Sequence, residues 1–476
     1  MNRRTLLRAG VGLTAALASS TNKADTPTVA CQCDGLSSAA RFNCEKNVCA
    51  EAAQDFGNIV RKLPRAVLKP ADSTDVATAM RWTAAQKLKI AARGQGHSVY
   101  GRSLAQDGVV VDMGSLNRIH EIRSDRVVVD AGATWKSVFE ATLAKGLTPP
   151  VFTNYLGLSI GGTLAVGGIG GTSSRFGMQT DQVIELDVVT GDGRQLKCSQ
   201  VTNPDLFDAI RGGLAQCGII TRATLRLVRA PERVRRYQLF YRDLASLVAD
   251  QRRVLAADRL DQLQGAIIPG GKGGWRYQLE AAIHYSGAAP DNRTVLAGLS
   301  DNRDTAVITD LTWHDDALAF EKLEALLRSK GFWSNPQPWL FTFLGGGNAE
   351  RAAGELMQGL SGDDLGAFGR ITFYPMQTRA FRSPLVRMPG DDIAFPFNVV
   401  RIPGPAGAEK IEQMVAQNRA LCERIRKAGG VLYPVSAFPM SSPDWKEHFG
   451  SRWPLLAEAR RRYDPDNVLT PGYEVF

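Results

Sequence analysis

Seven of the fifteen residues from Gly157 to Gly171 are glycine, and none of the fifteen is charged. Glycine loses the most backbone freedom on ordering and offers no side chain to pack. A stretch this dense suits backbone that must come close to something large and flat. Leu158, Ile160, Leu164, Val166 and Ile169 between the glycines do not suit a solvent loop. A buried glycine-rich turn or a flexible linker would have the same composition. A second segment, Ala92-Arg93-Gly94-Gln95-Gly96-His97-Ser98-Val99-Tyr100-Gly101, narrows the choice. Gly94, Gly96 and Gly101 permit positive φ, so consecutive N–H groups can line a concavity that takes a pyrophosphate. The spacing is not G-x-G-x-x-G opening a helix, which disfavours a Rossmann dinucleotide site.

A chain of 476 residues exceeds one ordinary core and is expected to form two or three domains. The net charge of +9 is dispersed; no basic run exceeds Arg460-Arg461-Arg462, so a basic solvated surface is expected and nucleic acid is not. Arg3-Arg4 ahead of the mild apolar run Ala9 to Ala18 reads as a twin-arginine-type export signal within residues 1–30. Outside it no apolar run is long enough to span a bilayer, so no integral membrane segment is expected in the mature chain. Cys31, Cys33, Cys44 and Cys49 crowd into residues 31–54, and in an exported protein they read as two disulfides with three possible connectivities. A zinc site is the alternative, although C-x-C and C-x4-C are not the usual knuckle spacings.

Short strand-like and helical segments alternate from residue 55 to about 230. Ser73-Thr74-Asp75 caps a helix carrying Val76, Met80 and Ala84; Val109 to Val111 and Val127 to Val129 are strand-like; Thr134 to Lys145 is helical, stopped by Gly146. Val183 to Val189 and Arg194 to Cys198 flank a hairpin signal at Thr190-Gly191-Asp192-Gly193. Asn203-Pro204 opens a helix, and Ile219 to Val228 alternates as a strand. From 231 to about 430 the elements lengthen: strands at Trp275 to Tyr285, Trp339 to Leu344, Arg370 to Met376 and Ala394 to Arg401, helices at Ala317 to Ser329, Glu350 to Leu360 and Glu409 to Lys427. That alternation suggests a sheet covered by helices. Residues 431–476 are loop-rich like the first region and are expected to fold back on the first domain.

Four stretches carry a resemblance: Arg93 to Ser98, Gly161-Gly162-Thr163-Leu164, Gly212 to Ala223, and Tyr463-Asp464-Pro465-Asp466-Asn467-Val468-Leu469-Thr470-Pro471-Gly472. Together they resemble the vanillyl-alcohol-oxidase-type (PCMH-type) FAD-linked oxidoreductases. From Asp55-Phe56-Gly57-Asn58 to the C-terminus, with Pro336-Gln337-Pro338-Trp339-Leu340 and His448-Phe449-Gly450, the chain is most similar to cytokinin dehydrogenases. The resemblance implies an α+β, two-domain fold. The FAD-binding domain would be 55–230 plus 431–476, and the substrate domain 231–430 would be an antiparallel sheet covered by helices. It also implies FAD bound covalently through His97. Arg93, Gly94, Gln95, Gly96 and Ser98 would carry the pyrophosphate, continued by Gly101 and Arg102. Ser159, Gly161, Gly162, Thr163, Ala165, Ile169 and Ile220 would line the ring and adenosine, with Thr470 and Tyr473 approaching from the C-terminus.

The implied reaction is oxidation of a C–N bond in an N6-substituted adenine-like amine, with oxygen or a quinone as electron acceptor. Cytokinin dehydrogenases use an aspartate where this chain has Asn154. An amide can orient a substrate but cannot act as a base near neutral pH. Phe341 likewise stands, after Trp339-Leu340, where a polar residue is usual. Tyr155, Tyr374 and His284 are the candidate neighbouring bases. With such a base the fold would oxidise an alcohol, lactone or sugar hydroxyl; without one the chain could be a flavin-carrying binding protein. The segment Phe152 to Ile160 has no cysteine, which disfavours a second covalent link to the flavin. No metal site is expected.

Overall fold

The computed structural model describes residues 42–476. The expected export signal, Cys31 and Cys33 lie outside the described residues.

Two sheets share the first half. In one, Ala66–Leu68 and Ile90–Arg93 flank Val109–Asp112 in parallel, with Phe42–Asn43 antiparallel at the edge. Parallel neighbours need a crossover, and Ser73–Ala85 supplies it. The cap of this helix is Asp72 rather than Ser73, because its Oδ1 accepts from both Thr74 N and Asp75 N. The second sheet is antiparallel, in the order Ile119–Ile122, Arg126–Asp130, Gly218–Arg226, Val183–Thr190, Gln195–Ser199. Its last two strands are the expected hairpin. Val76 and Met80 of the helix lie in one core with Leu68, Val109 and Val111 from the first sheet and Val189 and Ile219 from the second.

The C-terminus closes this half, as expected. Ile90 N donates to Val468 O and Thr470 N to Ile90 O, each at 2.8 Å, adding Leu469 as a parallel bridge beside Ile90. Arg460 and Asp464 form a buried ion pair at 2.9 Å, and Asp464 also accepts from Val468 N and Leu469 N. Gly472 lies against the Gly101 carbonyl so closely that a Cβ would come within 2.3 Å of it.

The second half is an antiparallel six-stranded sheet ordered Val307–Thr312, Arg233–Tyr241, Trp275–Tyr285, Gln262–Pro269, Arg370–Thr372, Asn398–Val400. Helix Leu244–Ala256 packs on this sheet, and Ala349–Met357, beside it, packs with Ala408–Lys427 on strands Thr342–Gly345 and Val431–Leu432. A four-stranded sheet, Met376–Gln377, Ile393–Pro396, Thr342–Gly345, Val431–Leu432, stands beside it. Two expected strands are thereby divided. Arg370 to Met376 breaks at Phe373-Tyr374-Pro375, and Ala394 to Arg401 breaks at Phe397, each passing from one sheet to the other. Pro375 has no N–H to give a ladder. The strand expected from Trp339 begins at Thr342; Leu340 only bridges Val399. The helix expected over Ala317 to Ser329 is two, Trp313–Ala317 and Phe320–Ser329. Arg233–Tyr241, Leu244–Ala256 and Gln262–Pro269 are elements that the sequence pattern does not announce.

Candidate cofactor and substrate site

The two glycine-rich segments meet. Strand Ile90–Arg93 delivers the first loop, and Ser159 N-terminal to the turn of helix Ile160–Leu164 delivers the second. A Cβ on Gly94 would lie 1.9 Å from Ser159 Oγ, and one on Gly162 would lie 2.8 Å from the same atom. Gly96 takes φ 63°, with the Arg93 guanidinium lying where its Cβ would be. Farther along, Gly167 and Gly168 have φ 137° and 79°, and Gly168 N donates to the Tyr433 hydroxyl at 2.9 Å. A side chain at Gly168 would strike Gln179 Oε1.

Asp55 organises the first loop. Its Oδ2 accepts from Ser98 Oγ at 2.7 Å and Gly101 N at 2.6 Å, while burial pushes its carboxyl above the usual range. His97 follows Gly96 into an aromatic enclosure. Phe56 stacks on the imidazole at 3.9 Å between centroids, and the rings of Tyr155, Trp333 and Trp339 stand 5.2, 5.9 and 6.0 Å away. Burial, helped by Arg328, lowers its pKa to about 4, so the imidazole is neutral near pH 7. His97 Nε2, Asp55 Oδ1, Gln179 Oε1 and Thr180 Oγ1 are buried without a protein partner on these loops and the segment beside them. Buried polar atoms are rarely left unpaired. Glycine contacts that tolerate no side chain, together with unpaired polar atoms, fit a flat cofactor bearing a pyrophosphate.

Other expected cofactor residues divide by what they touch. Gln95 is exposed and Ala165 half-buried. Gly161 abuts Ala131, Ile169 packs near Tyr433 and Phe343, and Ile220 sits in the strand core. Thr163 has its hydroxyl engaged internally, accepting from Trp135 Nε1 and donating to Ile160 O. Arg102 is buried beneath Tyr473 and donates to Gly472 O and Phe438 O, so it ties the loop to the C-terminal segment. Thr470, at φ 47°, donates to Ala215 O and accepts from Gln216.

Asn154 and its neighbour Tyr155 face different surroundings. Tyr155 turns to His97 and donates to Glu324, and burial raises its pKa to about 12. Trp339 stands on the same side as Tyr155, with Phe341 5.8 Å beyond it. Asn154 instead lines a cleft of about 690 Å³ between the two halves of the molecule. The cleft also exposes Gln264, Glu280, His284, Arg236 and Asp316. Gln264 Nε2 donates to Asn154 Oδ1 at 3.3 Å. Glu280 accepts from Arg370 at 3.2 Å. His284 lies against Trp313, and burial lowers its pKa. Tyr374 is buried, with its pKa pushed up to about 12. Asp55 opens a stretch that carries the family resemblance but has no role assigned by it, and Gln264, Glu280 and Tyr433 carry no signal of a site role in the sequence. Only their positions across the fold reveal them, since each lies on a different element from the residue it serves.

Among the described residues no group of three or more His, Cys, Asp or Glu could hold a metal ion, and no helix is long and apolar enough to cross a membrane.

Family models match both halves of the chain. An FAD binding domain matches residues 64–199, and the model described as "Cytokinin dehydrogenase 1, FAD and cytokinin binding" matches 264–476. An uncharacterized oxidoreductase of the fasciation locus of Rhodococcoides fascians is 42% identical over 89% of this chain and 96% of its own length. Cytokinin dehydrogenase 7 of Oryza sativa subsp. japonica is 32% identical over 93% of this chain and 92% of that protein. Cytokinin dehydrogenase 3 of Arabidopsis thaliana is 33% identical over 89% and 88%. With a cradle for a flat cofactor beside a cleft at the junction of two such halves, the chain belongs to the cytokinin dehydrogenase family of FAD-dependent oxidoreductases.

Proposed function

We propose that the protein is a covalent-FAD oxidoreductase that oxidises the C–N bond of an N6-substituted adenine-like amine held in the cleft at Asn154. The carrying observation is His97, a neutral imidazole with an unpaired buried Nε2 in a glycine loop that closes on the second glycine segment. A neutral nitrogen has the lone pair that attachment requires, and burial keeps it neutral. Arg93, Gly94, Gly96, Ser98, Ser159 and Gly162 would hold the cofactor's pyrophosphate, with Gly167, Gly168 and Tyr433 beside the ring. FAD supplies the acceptor for a substrate hydride. Residues of the cleft bind and orient the amine: Asn154 by its amide, Trp313 and Phe320 by apolar walls. Oxygen or a quinone would take the electrons onward. A twin-arginine signal would export the folded protein, and the four N-terminal cysteines would form disulfides there.

The test is direct. Protein precipitated in acid is expected to remain yellow, with the mass of one FAD on the peptide containing His97. Free release of the flavin, with an unmodified His97 peptide, would overturn the attachment. Turnover of isopentenyladenine with an artificial electron acceptor tests the substrate.

One observation favours a second reading, oxidation of an alcohol. His284 lines the same cleft and burial lowers its pKa, so it could accept a hydroxyl proton once the substrate displaces Gln262, whose Nε2 now donates to His284 Nε2 at 2.9 Å. Tyr155 and Tyr374, both near pKa 12, are poorer bases near neutral pH. Turnover of alcohols but not amines, abolished in His284→Gln, would select this reading.

A further inference from the structure

The polarity of Asn154 is set by the protein before any substrate arrives. A carboxamide has one acceptor oxygen and one donor nitrogen. Gln264 Nε2 points at Asn154 Oδ1 from strand Gln262–Pro269, at 3.3 Å. Beside Gln264 stands Tyr374, buried at the break between the two strands that follow Gly369. Tyr374 packs in the cluster containing Tyr433 and Phe343, so this flank of Gln264 is part of the core. Asn154 itself is exposed on the cleft. One lone pair of its oxygen is therefore taken by a donor of the protein, and the amide is oriented with Nδ2–H as the end turned away from Gln264.

We propose that the group seated against Asn154 is a hydrogen-bond acceptor, a ring nitrogen or an ether or carbonyl oxygen, and that Gln264 is the positioning residue that imposes this choice. This rests on the cleft at Asn154 being the substrate site. A substrate presenting N–H there would meet another N–H, leaving two buried donors facing one another without a partner. A site that misses one hydrogen bond discriminates far more strongly than one that misses a methylene. An adenine-like substrate accordingly turns a lone-pair ring nitrogen, rather than its amine N–H, toward Asn154. Asn154 takes up no proton; it fixes the substrate's orientation alone.

The holoenzyme can be tested with matched ligands that differ by NH against O: isopentenyladenine and 6-isopentenyloxypurine, with benzylic and alkyl amine–ether pairs beside them. Affinities are read by calorimetry, and KM and kcat separately wherever turnover occurs. The wild-type protein is expected to bind the ether at least as tightly as the amine. Asn154→Asp, which replaces the donor by an acceptor, is expected to disfavour the ether by roughly tenfold or more relative to the amine. Gln264→Glu is expected to shift the ratio in the same direction, because a carboxylate there would draw Asn154 Nδ2–H to itself and turn Oδ1 toward the cleft. Gln264→Leu, which removes the bridge, is expected to bring the ratio close to one. The shift belongs in KM rather than kcat. A wild-type preference for the amines of roughly tenfold or more, or a ratio unmoved by Asn154→Asp and Gln264→Glu, would overturn the assignment. Failure of both purines to bind overturns the adenine-like reading, and the polarity is then read from the other pairs. Failure of every ether in the set overturns the polarity itself.

Discussion

The ring of Phe56 lies flat on the imidazole of His97, with centroids 3.9 Å apart and planes 12° apart. Phe56 comes from the segment before the first parallel strand, where its N–H donates to Gly96 O at 2.7 Å. The stack shuts water away from the histidine and so keeps its pKa near 4. Phe56→Ala is expected to let the pKa climb toward the ordinary value, about 6.5. Flavin attachment would then be incomplete when cells are grown at mildly acidic pH. The fraction of His97 peptide carrying FAD, measured by mass spectrometry, checks this.

Gly94→Ala tests the closure of the two glycine segments. A methyl group there would fall 1.9 Å from Ser159 Oγ and 2.8 Å from Ser159 Cβ. Overpacking of this kind costs about 1–3 kcal/mol, which lowers affinity for FAD by roughly ten- to hundredfold. Flavin-to-protein absorbance ratios after purification are expected to fall accordingly. Gly94→Ala combined with Ser159→Gly is expected to restore much of the loss.

Tyr433→Phe removes the acceptor for Gly168 N, a buried donor in a turn whose φ of 79° is glycine's. An unsatisfied buried donor costs about 1–3 kcal/mol. The free energy of urea unfolding is expected to drop by that amount, with the change in flavin absorbance preceding global unfolding.

Much of this geometry could be read from residues close in sequence. Apolar triplets such as Val109 to Val111, the Asn203-Pro204 helix start and the Thr190 to Gly193 turn stand where local chemistry puts them. Arg233–Tyr241 is hidden because Arg233, Arg235 and Arg236 crowd its start and Val234 is out of phase with the alternating Tyr237, Leu239 and Tyr241, while Asp310 and Asp316 neutralise two of the arginines from other elements. The same holds at the site. Glycine density announced the cradle, whereas Gln264 against Asn154 joins positions 110 residues apart. No local pattern encodes that pairing.

His448 gives the acid sensitivity of the fold. Burial beside Arg387 depresses its pKa to about 3, against 6.5 unfolded. Below about pH 6.5 the unfolded chain binds a proton that the folded chain refuses, so stability is full above 6.5 and falls as pH drops toward 3. The slope for this group is about 1.4 kcal/mol per pH unit. His448→Phe is expected to flatten the plot of unfolding free energy against pH by one proton across that window. An unchanged slope would mean that His448 titrates normally in the folded protein.

Asp464 is bonded to Arg460, Val468 N and Leu469 N in the buried turn that precedes the last bridge. Asp464→Ala leaves the buried Arg460 charge without its carboxylate, still donating to Gln216 O and Asn467 Oδ1, and strands two amides, an expected loss of about 3–5 kcal/mol, readable as a lower denaturant midpoint.

The docking of Leu469 beside Ile90 also sets an order of events. Ile90 opens the strand that delivers His97, yet the backbone that partners Ile90, Val468 to Thr470, is synthesised long after it. Gly101 likewise waits for Gly472. A nascent chain that has not yet reached this strip lacks the backbone that pairs with Ile90 and packs on Gly101, however well its upstream portions have folded. A product truncated before Val468 is accordingly expected to purify with less flavin than the full chain.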